Sequence, residues 1–136
     1  MKKIIEACDR RGMMMIVGIF YQRTMNNMNG SRRLDSAEDV RRAVRTAVQT
    51  LDPYENIIIN IANEQNSGLY RRVEFYDFND PNNMIELCQL VHQVDPSRLA
   101  GAGGYDDESN VIIGKSDAVD VLLFDTFSKD IEAEQD

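Results

Sequence analysis

Apolar positions alternate along this chain between helical spacing and unbroken runs. Residues 2–11 place Ile4, Ile5, Ala7 and Cys8 among charges, the pattern of a short amphipathic helix, with Gly12 where a C-terminal cap would stand. Met13 to Phe20 follows with no polar break. A run apolar on both faces suits a strand buried in a parallel sheet, with Met13, Met14 and Met15 read as core filling. Residues 24–34 are polar and read as a long loop. Ser36 is then a good N-cap, and Asp39 is spaced to close a capping-box-like pair. Val40, Ala43, Val44, Ala47, Val48 and Leu51 form one helical stripe, which Asp52-Pro53 stops.

The alternation then repeats. Ile57, Ile58, Ile59 and Ile61 specify a second strand, followed by a long segment, 65–79, rich in Asn, Tyr and Phe. Asp80-Pro81 opens a helix carrying Met84, Leu87, Cys88, Val91 and Val94, and Asp95-Pro96 closes it. A third strand spans Arg98 to Gly104. A short amphipathic piece around 111–113 leads to a fourth strand, Val119 to Phe124, and a charged, frayed tail at 129–136. Strand–helix units repeating every forty or so residues, a step of about one βα unit with generous loops, build a parallel sheet with right-handed crossovers.

Two α/β architectures fit four such strands. A small doubly wound sheet should carry a Gly-rich or hydroxyl-rich loop after its first strand, but Phe20-Tyr21-Gln22-Arg23 cradles no phosphate. The long polar segments, 21–34, 63–80 and 105–110, all follow strands. Decoration on that side is the mark of a (β/α)8 barrel, whose full form takes about 250 residues. The expectation is therefore a partial TIM barrel, a single section over 1–136, with four parallel strands in consecutive order and helices on one side.

Composition narrows the function classes. Of 136 residues, 43% are hydrophobic and 28% charged, the balance of a globular domain. A formal charge of −8 disfavours nucleic acid as a partner. No apolar run approaches the roughly 18 residues of a membrane span. Met1-Lys2-Lys3 opens like a signal peptide, but Glu6 and Asp9-Arg10-Arg11 leave no apolar core for one. Cys8 and Cys88 make neither a disulfide framework nor a metal cluster, and both read as buried thiols on helix stripes.

The chemistry concentrates at the end of the second strand, where Ile57–Ala62 delivers Asn63-Glu64. Side-chain alternation puts Glu64 on one face with Ala62, Asn60 and Ile58. If that face is a barrel interior, Glu64 crowns it, and desolvation would raise its pKa toward the range of a general acid. Asn63 can hydrogen-bond a sugar hydroxyl or orient a second carboxylate. Gln22 and Arg23 end the first strand and are candidate substrate contacts, or members of a surface salt link. Tyr105, with Asp106 and Asp107, ends the third strand; Asp125 ends the fourth. Asn60, if interior, needs a hydrogen-bond partner. His92 reads as packing or surface, and Arg71-Arg72 as solvated loop charge.

A strand ending in Asn-Glu, preceded by a Gly-Met strand opening and a long helix, resembles the clan A glycoside hydrolases, especially the cellulase-like family 5 group. On that resemblance 13–20, 56–64, 98–105 and 119–125 correspond to the third to sixth barrel strands. It implies a retaining mechanism with Glu64 as acid/base and Asn63 beside it, a β-linked polysaccharide or oligosaccharide as substrate, and no metal or organic cofactor. The family's nucleophile ends the seventh strand, outside the stretch matched, and Glu132 and Glu134 have no strand before them. There is also no Trp for a sugar platform, so Tyr21, Tyr70, Phe75, Tyr76 and Tyr105 would serve. The chain as it stands is expected to be inactive. The alternatives are a non-catalytic glycan- or protein-binding domain on a (β/α) scaffold, and an unrelated doubly wound protein. Four strands of an unclosed barrel would leave two apolar edges, at Met13–Phe20 and Val119–Phe124, open to self-association or aggregation.

Overall fold

A computed structural model describes residues 1–26, 34–105 and 107–124. Most of the loop expected over 24–34, together with Asp106, Asp125 and the tail, lies outside the described residues. The elements run α1 (Lys2–Asp9), β1 (Met15–Tyr21), α2 (Gln22–Asn26), α3 (Ala37–Leu51), β2 (Ile57–Asn63), α4 (Pro81–Val94), β3 (Leu99–Ala102), α5 (Asp107–Gly114) and β4 (Val121–Leu122). A 3₁₀ turn over Gly68–Arg72 interrupts the segment after β2.

The four strands form one all-parallel sheet in the order β1-β2-β3-β4, with helices between them, an arrangement consistent with part of a (β/α) barrel. The strand order never reverses, so the sheet has no doubly wound switch point. Local chemistry explains the helices. The Ser36 hydroxyl accepts from the Asp39 amide at 3.1 Å, and the Asp39 carboxylate reaches back to the Asp35 amide at 3.0 Å. Asp80 caps α4 by accepting from the Asn82 amide at 2.8 Å, with Pro81 at the first helical position. Gly12 turns the chain out of α1 at φ +67, where an L side chain is strained.

One face of the sheet is packed and the other is not. Ile57, Ile59 and Ile61 of β2 are at most 1% exposed and meet Val40, Val44 and Val48 of α3 and Met84, Leu87, Cys88 and Val91 of α4 in one core. Each fully buried side chain of this kind contributes roughly 1.5–3 kcal/mol. In-register partners share a face, and the row Ile16, Ile58 and Leu99 lies on the other one. There Ile16 is 57% and Leu99 39% exposed. The next row is Gly18, Asn60, Gly101 and Val121.

Several expectations are corrected. Met13 and Met14 are each about half exposed rather than core filling, because they belong to the turn leaving α1 and nothing among the described residues covers them. Cys8 is only half-buried, since α1 is short, whereas Cys88 is buried. Burial, and secondarily the charge of Asp120, pushes the Cys88 thiol up to about 12. The first strand ends at Tyr21, so Gln22 and Arg23, expected to end it, open a short helix that runs on through 24–26 where loop was expected, and the piece expected near 111–113 is a helix that starts at Asp107. The third and fourth strands are shorter than their apolar runs. Each pairs over only a few residues.

Candidate functional site

The C-terminal ends of β1, β2 and β3 meet around Glu64. Asn63 closes β2 opposite Tyr21, and the chain then turns through Glu64 at φ +48, the one described non-glycine residue with positive φ. That conformation takes Glu64 off the strict alternation of the strand, so its position is set by the turn. A non-glycine residue held there costs of order 1 kcal/mol and is a common feature of functional sites. The half-buried Glu64 carboxylate accepts a hydrogen bond from the Gln22 side-chain amide at 2.7 Å. Gln22 is the first residue of α2 and is 4% exposed. Two residues 42 apart in sequence are thus brought together because β1 and β2 are neighbours in the sheet.

Tyr70 braces this junction. From the 3₁₀ turn its hydroxyl lies 3.3 Å from the Phe20 carbonyl and 3.1 Å from the Asn63 carbonyl, at the ends of β1 and β2. Its ring stacks on Phe78 with centroids 4.8 Å apart, and Phe78 in turn meets Phe20 edge-on. Burial first, and the charge of Glu64 second, push the Tyr70 hydroxyl above its ordinary range. It therefore stays a protonated donor at neutral pH.

The end of β3 is held by two asparagines. The Asn110 side chain accepts from the Gly104 amide at 3.0 Å and donates to the Gly104 carbonyl at 2.9 Å. Asn66 accepts from the Tyr105 amide at 3.1 Å, and a Cβ at Gly104 would overlap that Asn66 oxygen. The Gln65 amide donates to the Gly103 carbonyl at 3.2 Å, tying the end of β2 to that of β3.

Between these ends lies a cleft of about 160 Å³ lined by Asn60, Asn63, Glu64, Gly104, Leu123 and Phe124. The Oδ1 of Asn60, expected to be paired, has no hydrogen-bond partner among the described residues, and neither does the Oε1 of Gln22. Asn60 lines the cleft, and a ligand with a hydroxyl donor there would satisfy its oxygen. A larger hollow of about 510 Å³ opens under the segment after β2, with Arg71, Glu74 and Asp77 on its wall. It shares Asn66 with the site's supports but does not include Glu64.

Of the residues singled out from sequence, Asn63, Glu64 and Gln22 come together. Gln22 serves as the partner of Glu64 and does not line the cleft. Arg23 is exposed on α2, and Tyr105 is half-buried; neither lines the cleft. Asp125 lies outside the described residues. His92 stands on α4 with its Nε2 2.8 Å from Asp120, whose carboxylate also accepts from the Ala100 amide at the opposite end of the sheet. No cluster of three metal-ligating side chains occurs among the described residues. No helix among them is long and apolar enough to cross a membrane.

Tyr70 and Tyr76, expected among the aromatic residues of a sugar platform, are buried and offer none; Tyr70 braces the strand ends instead. Sequence reasoning missed the roles of Asn66 and Asn110. The Asn-rich composition of 65–79 was the available signal for Asn66, but which carbonyl or amide each side chain meets depends on strand pairing. Comparison with protein-family models, curated proteins and solved structures finds no match to this chain.

Proposed function

We infer that this chain is a section of a clan A glycoside hydrolase-like barrel of the cellulase-like family 5 type, with Glu64 as acid/base and Asn63 as its neighbour. One observation carries the reading. A carboxylate at the C-terminal end of a parallel strand is held at 2.7 Å by the buried Gln22 amide, at the mouth of a small cleft lined with amide groups. The C-terminal ends of strands are where (β/α) barrels place catalysis. In this reading Glu64 protonates the glycosidic oxygen as the bond breaks, then takes the proton from the water that releases the sugar. Gln22 fixes the carboxylate's rotamer. The substrate is a β-linked polysaccharide or oligosaccharide of the full-length protein.

Retaining hydrolysis needs a nucleophilic carboxylate about 5–5.5 Å from the acid/base. Among the described residues, the cleft is lined by one carboxylate, Glu64. The expected result is weak oligosaccharide binding without turnover. Titration of the chain with a cello-oligosaccharide, followed by amide NMR, should shift the resonances of Asn63, Glu64 and Gly104, and Asn63→Ala should weaken the response several-fold. Shifts confined to other surfaces, or none, overturn the assignment. Turnover of an activated aryl β-glycoside that disappears in Glu64→Gln would overturn the expected inactivity and identify a second carboxylate within the chain.

A further inference from the structure

We propose that Gln22 is an amide switch for Glu64. It donates from Nε2 while Glu64 is a carboxylate, and it turns over to accept at Oε1 when Glu64 carries a proton. The carboxyl group is thereby held in one place through both states. The proposal rests on the reading of Glu64 as an acid/base, and it makes Gln22 the positioning residue that lets that proton come and go.

A carboxylate offers only acceptors, so the Gln22 atom that lies 2.7 Å from the Glu64 Oε2 is the amide nitrogen. That leaves the Oε1 on the other side. It is buried and has no hydrogen-bond partner among the described residues, on a side chain only 4% exposed. In a side chain kept solely as a donor, a buried acceptor without a partner is destabilising and serves nothing. In a side chain that must reverse, the missing partner is a requirement, because a backbone amide on Oε1 would pin the group in one orientation. With Oε1 unpinned, Glu64 decides which end of the amide faces it. The reversal is a half turn about Cγ–Cδ, a broad and roughly two-fold torsion. It exchanges an oxygen and an NH₂ group of similar size, and it calls for no movement of the backbone.

Other carboxylates of this chain are held differently. Glu38 lies 2.7 Å from the Arg45 guanidinium, and Asp39 accepts from the Asp35 amide at 3.0 Å. Neither donor can become an acceptor. Each is the first cause that holds its carboxyl below the ordinary range. Such a partner serves a permanent anion, whereas a reversible one serves a group that gives a proton and takes it back. The charged and titratable groups around Glu64 leave the exchange open. Among the described residues Glu64 makes no ion pair, and Arg23, next to Gln22 on α2, makes none either. Tyr70, on the 3₁₀ turn, keeps its proton at neutral pH and directs it to the strand-end carbonyls. Tyr21 closes β1 opposite Asn63. The rest of the cleft wall, Asn60, Asn63, Gly104, Leu123 and Phe124, carries no charge.

NMR of the chain labelled with ¹⁵N and ¹³C, acidified stepwise from neutral pH, tests the switch. The Gln22 Nε2 proton given to the carboxylate should move upfield as that bond is lost. The Gln22 Cδ should move downfield as its oxygen becomes the acceptor, and both changes should share the midpoint of the Glu64 Cδ. The two Glu64 Hγ protons should stay distinct at both ends of the titration, because the side chain is held throughout. Native resonances in slow exchange with unfolded chain report the folded state even where acid unfolds part of the sample. Gln22→Met keeps the length and removes both polar groups; its Glu64 Hγ pair should collapse at every pH, with the amides of α4 unchanged. Gln22 resonances that ignore the titration of Glu64, or an Hγ pair that collapses only in acid in the unaltered chain, overturn the proposal and leave Gln22 a donor to the carboxylate alone. An Hγ pair still distinct in Gln22→Met overturns it as well, and the unaltered chain decides by itself where that variant does not fold. No oligosaccharide enters the measurement, so the switch and the glycoside hydrolase reading fail or stand separately.

Discussion

Tyr70 has one hydroxyl proton and two carbonyl neighbours, so one donor is shared between the two strand ends. Its energetic weight is that of a buried hydrogen bond together with the cost of leaving a carbonyl unsatisfied. Tyr70→Phe keeps the stack on Phe78 and removes the donor. The expected loss is about 1–2 kcal/mol in urea unfolding, with the amide resonances of Asn63 and Glu64 displaced and those of α4 unchanged. An unaltered midpoint would show that the carbonyls at the ends of β1 and β2 are satisfied by solvent. At the same scale, Asn63-Glu64 was legible in the sequence because a run of isoleucines ends there. Gln22 was legible as a strand-end residue and candidate substrate contact; its role as the partner of Glu64 is a product of β1 pairing with β2.

At the scale of elements, α3 and α4 are the parts whose limits the residues state outright. Each begins at a side-chain cap and ends before Asp-Pro. Ser36→Ala and Asp80→Ala should each cost about 1 kcal/mol, measured as a shift of the unfolding midpoint, and the two losses should add, because the caps belong to different helices. A value near zero for Ser36→Ala would mean that the Asp39 bond to the Asp35 amide holds the helix start alone. The strands were less legible at their limits. The run Val119–Phe124 continues on both sides of the paired residues Val121 and Leu122, because pairing depends on how far β3 extends beside it. The helix beginning at Asp107 was hidden by the acidic, loop-like composition of 105–110; Asn110 anchors it to Gly104.

At the scale of the molecule, stability should follow position in the sheet. β2 has a paired strand on each side and helices over one face, whereas β1 and β4 are edges. Native-state hydrogen exchange should therefore find the slowest amides at Ile59 and Ile61, and exchange at least tenfold faster in β4. Equal protection across the sheet would mean that the edges are covered. The α/β class, the parallel strands and the strand-end position of Glu64 were determined by the sequence alone, since hydrophobic period, caps and prolines are local and act over a few residues. Which face of the sheet stays bare, the exposure of Met13 and Met14, the unpaired Asn60 oxygen and the Gln22–Glu64 bond were decided only by the tertiary structure. Each depends on what another segment, tens of residues away, does or does not bring alongside, and no local pattern carries that information.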